Sequence, residues 1–595
     1  MYKNNLKILL YFIYTMESLL DHQHRLVSLY SSLHRSIDPS VFMKSLQSLI
    51  VDLRKVIMTS KVGAIQKAHF DVLTLLFKLV VYTRDIYGGL GERDLSYYML
   101  FIWKYHFPVP TATCLHKIVM PIEKNPPYGS WRDVKGFCDF IRKHSEKHDK
   151  DPFIETCIGL MNQQLEDDFK TWGNALDAYN RKFGTPWEIP YPVPADVGVS
   201  LVCRWIPRET SYNKWLFERC VIQWMRAFRP HYLKTVGDSS QRFQKALNKG
   251  KKEYRHMFSR LSKAWDTLQI KQCSQQWESI NHHKIPMRAM STQQQALLNI
   301  GLNGNVRTKT MHNKDRQVCA TKIQACWLSY KSQHPVFIEM GSIIKQALRL
   351  SNSSEIARME KLWTNVLNQI PSVPYMIPFL DLSLFHRDVE SFYHALGMAL
   401  AMACKSTLFG KQKRIVLYDT SARFVSLDGG LMQLIDIVKP IYHEHHIGSD
   451  LRNAFSMCAS AIQESKLDES HVEYLTFIVF GGFSDSSFIN NALRVFSDMN
   501  IVTPSVLYWA GSSVAHTTID INMSSLDSSV DDYKNEHLRQ HPFFVGYSNH
   551  TLTRIAQMSS DTWKHITPYS FLQYLLSHVR YDPLGKYFSG LLGGT

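Results

Sequence analysis

The side chains with the most chemistry to offer in this 595-residue chain are cations set close together. Between Lys245 and Lys263 the sequence reads KALNKGKKEYRHMFSRLSK. It places Lys245, Lys249, Lys251, Lys252, Arg255, Arg260 and Lys263 among helix-forming residues and the aromatics Tyr254 and Phe258. Cations neutralise phosphates and aromatic rings stack on bases, so this mixture has the chemistry of a nucleic-acid surface. The wider charge distribution agrees. Residues 226–349 hold 22 Lys and Arg against 6 Asp and Glu, an excess equal to the net charge of +16 of the whole chain, so the remainder is balanced. A concentration of this kind favours an anionic partner, such as nucleic acid or an acidic surface. The competing reading of a charge run is a solvated helix face beside a loop.

Catalytic chemistry is sparse by comparison. No Gly-x-Ser-x-Gly elbow, P-loop or dinucleotide fingerprint occurs, so neither an enzyme nor a cofactor is expected. His443, Glu444, His445 and His446 offer metal ligands, but no second pair at ligand spacing stands near them and no zinc site is expected. Ala320 to Gln333 (ATKIQACWLSYKSQ) places Ile323, Gln324 and Trp327 as a calmodulin-binding IQ motif would. Leu328 and Gln333 stand where that motif has its arginines, so an amphipathic core helix is expected and calmodulin is not. Ten cysteines without a Cys-x-x-Cys imply reduced thiols in a cytosol-like compartment.

The elements that must position these groups change character along the chain. Up to about residue 180 the apolar positions recur at helical spacing, as in Ile65 to Thr83 and Leu95 to Phe107. The four prolines of Phe183 to Asp196 mark a loop, and the polar stretch Asn299 to Val318 an exposed insertion. Near residue 370 the pattern becomes short apolar runs: Met376 to Leu382, Arg414 to Tyr418, Tyr474 to Phe480 and Ser505 to Ala510 read as buried strands. Helical stretches separate them at Val389 to Cys404, Gly430 to Val438, Leu451 to Glu464 and Asn490 to Met499. Such alternation predicts a mostly parallel sheet covered by helices. The Leu6 to Leu20 run is shorter than the roughly 20 apolar residues of a membrane span and carries Glu17, so an amphipathic first helix and no membrane association are expected.

Four ordered stretches carry a family resemblance: Thr83 to Leu95 (TRDIYGGLGERDL), Tyr128 to Val134 (YGSWRDV), Val199 to Glu209 (VSLVCRWIPRE) and Trp277 to Met287 (WESINHHKIPM). They resemble signature segments of an uncharacterised family found in large DNA viruses, plants and slime moulds, similar in turn to the TROVE-plus-von Willebrand A architecture of Ro-autoantigen-like proteins. In their own right, Gly88, Gly89 and Gly91 predict a turn between two helices that Arg84, Asp85 and Arg93 could clamp. Ser130 predicts a helix cap with Asp133 in the first turn and Trp131 packed inward.

The resemblance implies a mainly α helical-repeat (HEAT-like) N-terminal module over residues 1–370, followed by an α/β von Willebrand A (Rossmann-like) domain over 371–595. It further implies a non-enzymatic RNA-binding scaffold of a ribonucleoprotein, cytoplasmic or within a virion or large particle, with protein partners at the second domain. The alternative is a structural component of a large assembly. Domains of that second type hold Mg²⁺ with Asp-x-Ser-x-Ser plus a Thr and an Asp from later loops. Here Asp381 and Ser383 match, but Phe385 replaces the second Ser, Gly448-Ser449-Asp450 stands in for the Thr loop and Gly482 replaces the distal Asp. With Asp381, Ser383 and Ser449 remaining, the site is expected to be degenerate and metal-free unless Asp485 or Asp450 supplies a ligand.

Overall fold

The computed structural model describes residues 2–33, 38–60, 62–121, 125–183, 196–233, 241–282, 285, 287–301, 305–329, 340–349, 353–373, 375–408, 412–443, 448–465, 472, 474–481, 486–510, 543–545, 549–558 and 566–592. The chain forms two compact units, Met1–Met99 with Tyr330–Thr595, and Leu100–Ser329. The boundary expected near residue 370 lies inside the first unit, because the first helices pack with the last ones.

In the first unit, helices Tyr2–Ser31, Pro39–Thr59 and Gly63–Arg84 pack together, and Pro568–Leu576 and Asp582–Leu592 join them from the other end of the chain. Pro39–Thr59 starts where Asp38 accepts the Ser40 N–H at 2.8 Å and Pro39 occupies the first turn. It buries Phe42, Leu46, Leu49, Ile50 and Leu53 at helical spacing. The Phe588 ring stacks on Phe77, centroids 4.7 Å apart. After Arg84 the chain turns as the glycines predict. Gly91 takes a φ of 71°, and a Cβ on Gly89 would overlap the Tyr82 carbonyl. The expected local clamp is corrected, however: Arg93 pairs with its neighbour Asp94, and Asp85 is held by Arg580.

The same unit contains a six-stranded sheet: β1 Met376–Asp381, β2 Lys413–Tyr418, β3 Ala422–Leu427, β4 Thr476–Gly481, β5 Ser505–Ala510 and β6 Phe543–Val545. The spatial order is β3-β2-β1-β4-β5-β6. β3 runs antiparallel to β2, and all other neighbours are parallel. Every residue of the central strands β1 and β4 is buried, which is why they read as unbroken apolar runs. Phe379 and Phe477 pack with Phe455 and Phe496 on one face. Helix Met340–Ala347 crosses Val389–Lys405 so closely that a Cβ at Gly341 would strike His394 and one at Gly397 would strike Met340. Glu360 fixes a further element: its carboxylate accepts the Leu431 and Met432 N–H groups, at 2.8 and 2.9 Å, at the start of helix Leu431–Tyr442.

The second unit is helical. Trp131–His144 starts at Ser130, as expected, with Asp133 in the first turn accepting the Ser130 N–H at 2.7 Å, and Trp131 is buried. Pro152–Phe183 packs on this helix, on Lys214–Phe228 and on Gln241–Trp265. At its start Asp151 takes the buried ammonium of Lys104 at 2.7 Å and the Ser145 hydroxyl at 2.7 Å. Among the described residues, no helix is long and apolar enough to cross a membrane.

Candidate functional site

The helix Gln241–Trp265 contains every cation singled out between Lys245 and Lys263. It is strongly two-faced. Phe243, Leu247, Gly250, Tyr254, Met257, Phe258 and Leu261 are buried, a stripe of helical period laid on Pro152–Phe183 and Lys214–Phe228. At Gly250 a Cβ would collide with the Met225 side chain, so a larger residue could not approach as closely. Tyr254 donates its hydroxyl to Asn162 Oδ1 at 2.7 Å from a fully buried ring. This corrects one sequence expectation. Tyr254 and Phe258 belong to the core and offer no face to a base.

The cations divide into two groups. Lys251 points along one flank, 2.8 Å from Glu218 and 3.5 Å from Glu209, and its side chain is only 12% exposed. Arg255 pairs with the same Glu209. Lys251 therefore anchors the helix, while Arg255 is half exposed and partly neutralised by Glu209, off the line of the remaining cations. Lys245, Lys249, Lys252, Arg260 and Lys263 are exposed, as is Arg242, which the sequence reading passed over. Their numbers advance by three or four, or by eight between Lys252 and Arg260, where exposed His256 fills the gap. That spacing puts them within roughly 80° of arc on one crest at 3.6 residues per turn. Lys249 sits 4.5 Å above the Tyr232 ring, and Arg260 lies beside Phe169 and Trp172. The one acid of the helix, Glu253, is bound by Arg229 at 2.8 Å and by the Tyr232 hydroxyl at 2.7 Å. Burial alone would raise its pKa, but those hydrogen bonds and the nearby charges outweigh it and hold the carboxyl below its ordinary value.

The other expected site lies at the carboxyl edge of the sheet, in the first unit. Asp381, at the end of β1 and 2% exposed, accepts the Ser383 N–H at 2.9 Å and the Ser449 hydroxyl at 2.9 Å, so these three residues do come together. Burial pushes the Asp381 carboxyl upward, with the serine hydrogen bonds opposing it. Asp450 instead turns to its own helix, Leu451–Ser465, and accepts the Asn453 N–H at 3.1 Å. Phe385 lies against Phe392 and Tyr442, at centroid distances of 5.3 and 5.0 Å, so the lost hydroxyl is replaced by an aromatic cluster. Gly482 and Asp485 fall outside the described residues, as do Glu444, His445, His446 and the Gln333 end of the IQ-like stretch. Within that stretch Ile323 is buried and Gln324 exposed on a helix. No three His, Cys, Asp or Glu side chains among the described residues are grouped to hold a metal ion.

What fold and sites define together is a predominantly helical protein with a mixed sheet in its C-terminal half, bearing an exposed cationic helix. No protein-family model matches the chain, and no match to it is found among curated proteins.

Proposed function

We propose that the protein is a non-enzymatic RNA-binding scaffold of a ribonucleoprotein, in which the unit Leu100–Ser329 holds structured RNA and the α/β part, read as a von Willebrand A-like domain, contacts protein. One observation carries the reading. On Gln241–Trp265 the only acid is bound by its neighbours, while six Lys and Arg side chains remain exposed along one crest. Such a line attracts a polyanion through counterion release, independently of sequence. A mostly parallel sheet flanked by helices, with Asp381, Ser383 and Ser449 gathered at its edge, supports the second half of the proposal.

The test is retrieval of the protein from its native source under gentle conditions, followed by RNA sequencing and protein identification. A stoichiometric small RNA is expected, and it should be lost when Lys245, Lys249, Lys252 and Lys263 are changed together to Gln. Fixed protein neighbours without enriched RNA would instead mark a structural component of a large assembly and overturn the proposal.

A further inference from the structure

Resting on the reading of the cationic crest as an RNA surface, we infer that it takes the phosphate backbone of a double helix and not an unpaired strand. Proteins that hold single strands combine cations with exposed aromatic platforms on which successive bases stack. The crest has none. Phe243, Tyr254 and Phe258 all point into the core, 8%, 0% and 3% exposed. Of the rings beside the crest, Tyr232 is approached by the Lys249 ammonium and gives its hydroxyl to Glu253, while Phe169 and Trp172 lie against the Arg260 guanidinium.

Geometry points the same way. From Arg242 to Lys263 the cations stand on a single uninterrupted α-helix, and at 1.5 Å per residue this rail is about 31 Å long. An unpaired strand would lose its flexibility to follow a fixed straight line and would gain no stacking in return. A duplex presents phosphates already fixed in place, so it loses little on docking. At roughly 3 Å per base-pair step the rail faces on the order of ten base pairs of duplex. Double-stranded RNA is recognised largely through backbone and shape, which matches a line of cations that has no succession of exposed rings for bases.

The experiment uses the full chain, a 12-base-pair RNA duplex and a 12-nucleotide oligouridine, each titrated from 50 to 200 mM salt. The duplex should bind at least tenfold more tightly. Changing Lys245, Lys249, Lys252 and Lys263 to Gln should reduce the magnitude of its salt slope by about 3 to 4, close to one for each phosphate contact removed. All four side chains are exposed, so an unchanged melting temperature will show that the variant folds. If oligouridine binds as tightly as the duplex and loses affinity in the variant, the duplex inference is wrong while the RNA surface stands. If the variant binds both probes like the parent, the RNA surface itself is wrong.

Discussion

Arg580 closes on Asp85 with two hydrogen bonds, Nε to Oδ2 at 2.6 Å and Nη2 to Oδ1 at 2.8 Å, across 495 residues of sequence. Tyr581 adds its hydroxyl at 2.9 Å, so the carboxylate, which is wholly buried, has a full set of donors. A planar guanidinium gripping a carboxylate in two places fixes orientation as well as distance. The two ends of the chain are thereby tied into one helical bundle.

Arg580→Ala should therefore be severe, since it leaves a buried carboxylate without its counterion, at a cost of about 3–5 kcal/mol. Arg580→Lys keeps the charge but cannot reproduce the fork and should recover only part. Replacing both partners, as Asp85→Asn with Arg580→Leu, should be milder than Arg580→Ala alone. Denaturant unfolding of the four proteins measures this, and an Arg580→Ala midpoint equal to that of the parent would refute it.

Lys104 and Asp151 make a second buried pair, each side chain 4% exposed. Burial is the largest influence on Asp151 and pushes its pKa up. The Lys104 ammonium, the Ser145 hydroxyl and the Phe153 N–H together outweigh it and hold the carboxyl below its ordinary value. A depressed carboxyl contributes stability that is present above the unfolded-state pKa and lost as pH falls through the folded one. Lys104→Met should cost about 3 kcal/mol at pH 7, because Asp151 is then buried unpaired. The loss should shrink in strong acid, where the carboxyl is neutral, and guanidinium unfolding at pH 7 and pH 3 compares the two conditions.

How far these arrangements could be read in advance depended on whether their cause was local. The four strands read from the sequence lie at β1, β2, β4 and β5, because a strand buried on both faces is a short apolar run wherever it occurs. The Ser130 cap and the Gly88 to Gly91 turn were legible for the same reason. β3 was not, since ARFVSL is an edge strand with exposed and half-buried positions and no continuous apolar run. Asp85 offered no hint of Arg580, because nothing within a few residues encodes a partner 495 positions away. The cationic helix was legible as charge but misread in detail. Residues 243, 247, 250, 254, 257, 258 and 261 share one helical stripe, and that periodicity already assigned Tyr254 and Phe258 to the core.

His22 and His69 meet edge to face, centroids 5.3 Å apart, and both are buried. Among the described residues, His22 Nδ1 and His69 Nε2 have no hydrogen-bond partner. Burial above all, then His69 and Arg25, lowers the His22 pKa from its ordinary 6.5 to about 4, with Asp21 and Asp52 opposing. The fold thus holds His22 neutral. Its contribution is complete above pH 6.5 and declines as pH falls toward 4, by at most about 3 kcal/mol. Stability measured at pH 7, 6 and 5 should fall accordingly, and His22→Phe, which cannot take up a proton, should flatten the decline. An equally steep decline in the variant would remove His22 as its cause.

Asp381 provides the sharpest chemical test at the sheet edge. Its two oxygens are satisfied by the Ser383 N–H and the Ser449 hydroxyl, and burial raises its pKa, so the negative charge itself is disfavoured where it stands. In Asp381→Asn the amide oxygen can still accept from Ser383, and the amide nitrogen can donate to Ser449 once that hydroxyl rotates. Both hydrogen bonds survive while the buried charge disappears, so unfolding stability should change by less than about 1 kcal/mol. Asp381→Ala, which strands the Ser383 N–H in a buried place, should cost more, about 1–3 kcal/mol. Following thermal unfolding while Mg²⁺ is raised separates this local role from a metal role, because an ion bound only by the folded state lifts the melting temperature with its concentration. No saturable rise is expected in the parent. A rise that Asp381→Asn abolishes would show that the carboxylate serves an ion and that the serines are its companions in a working site.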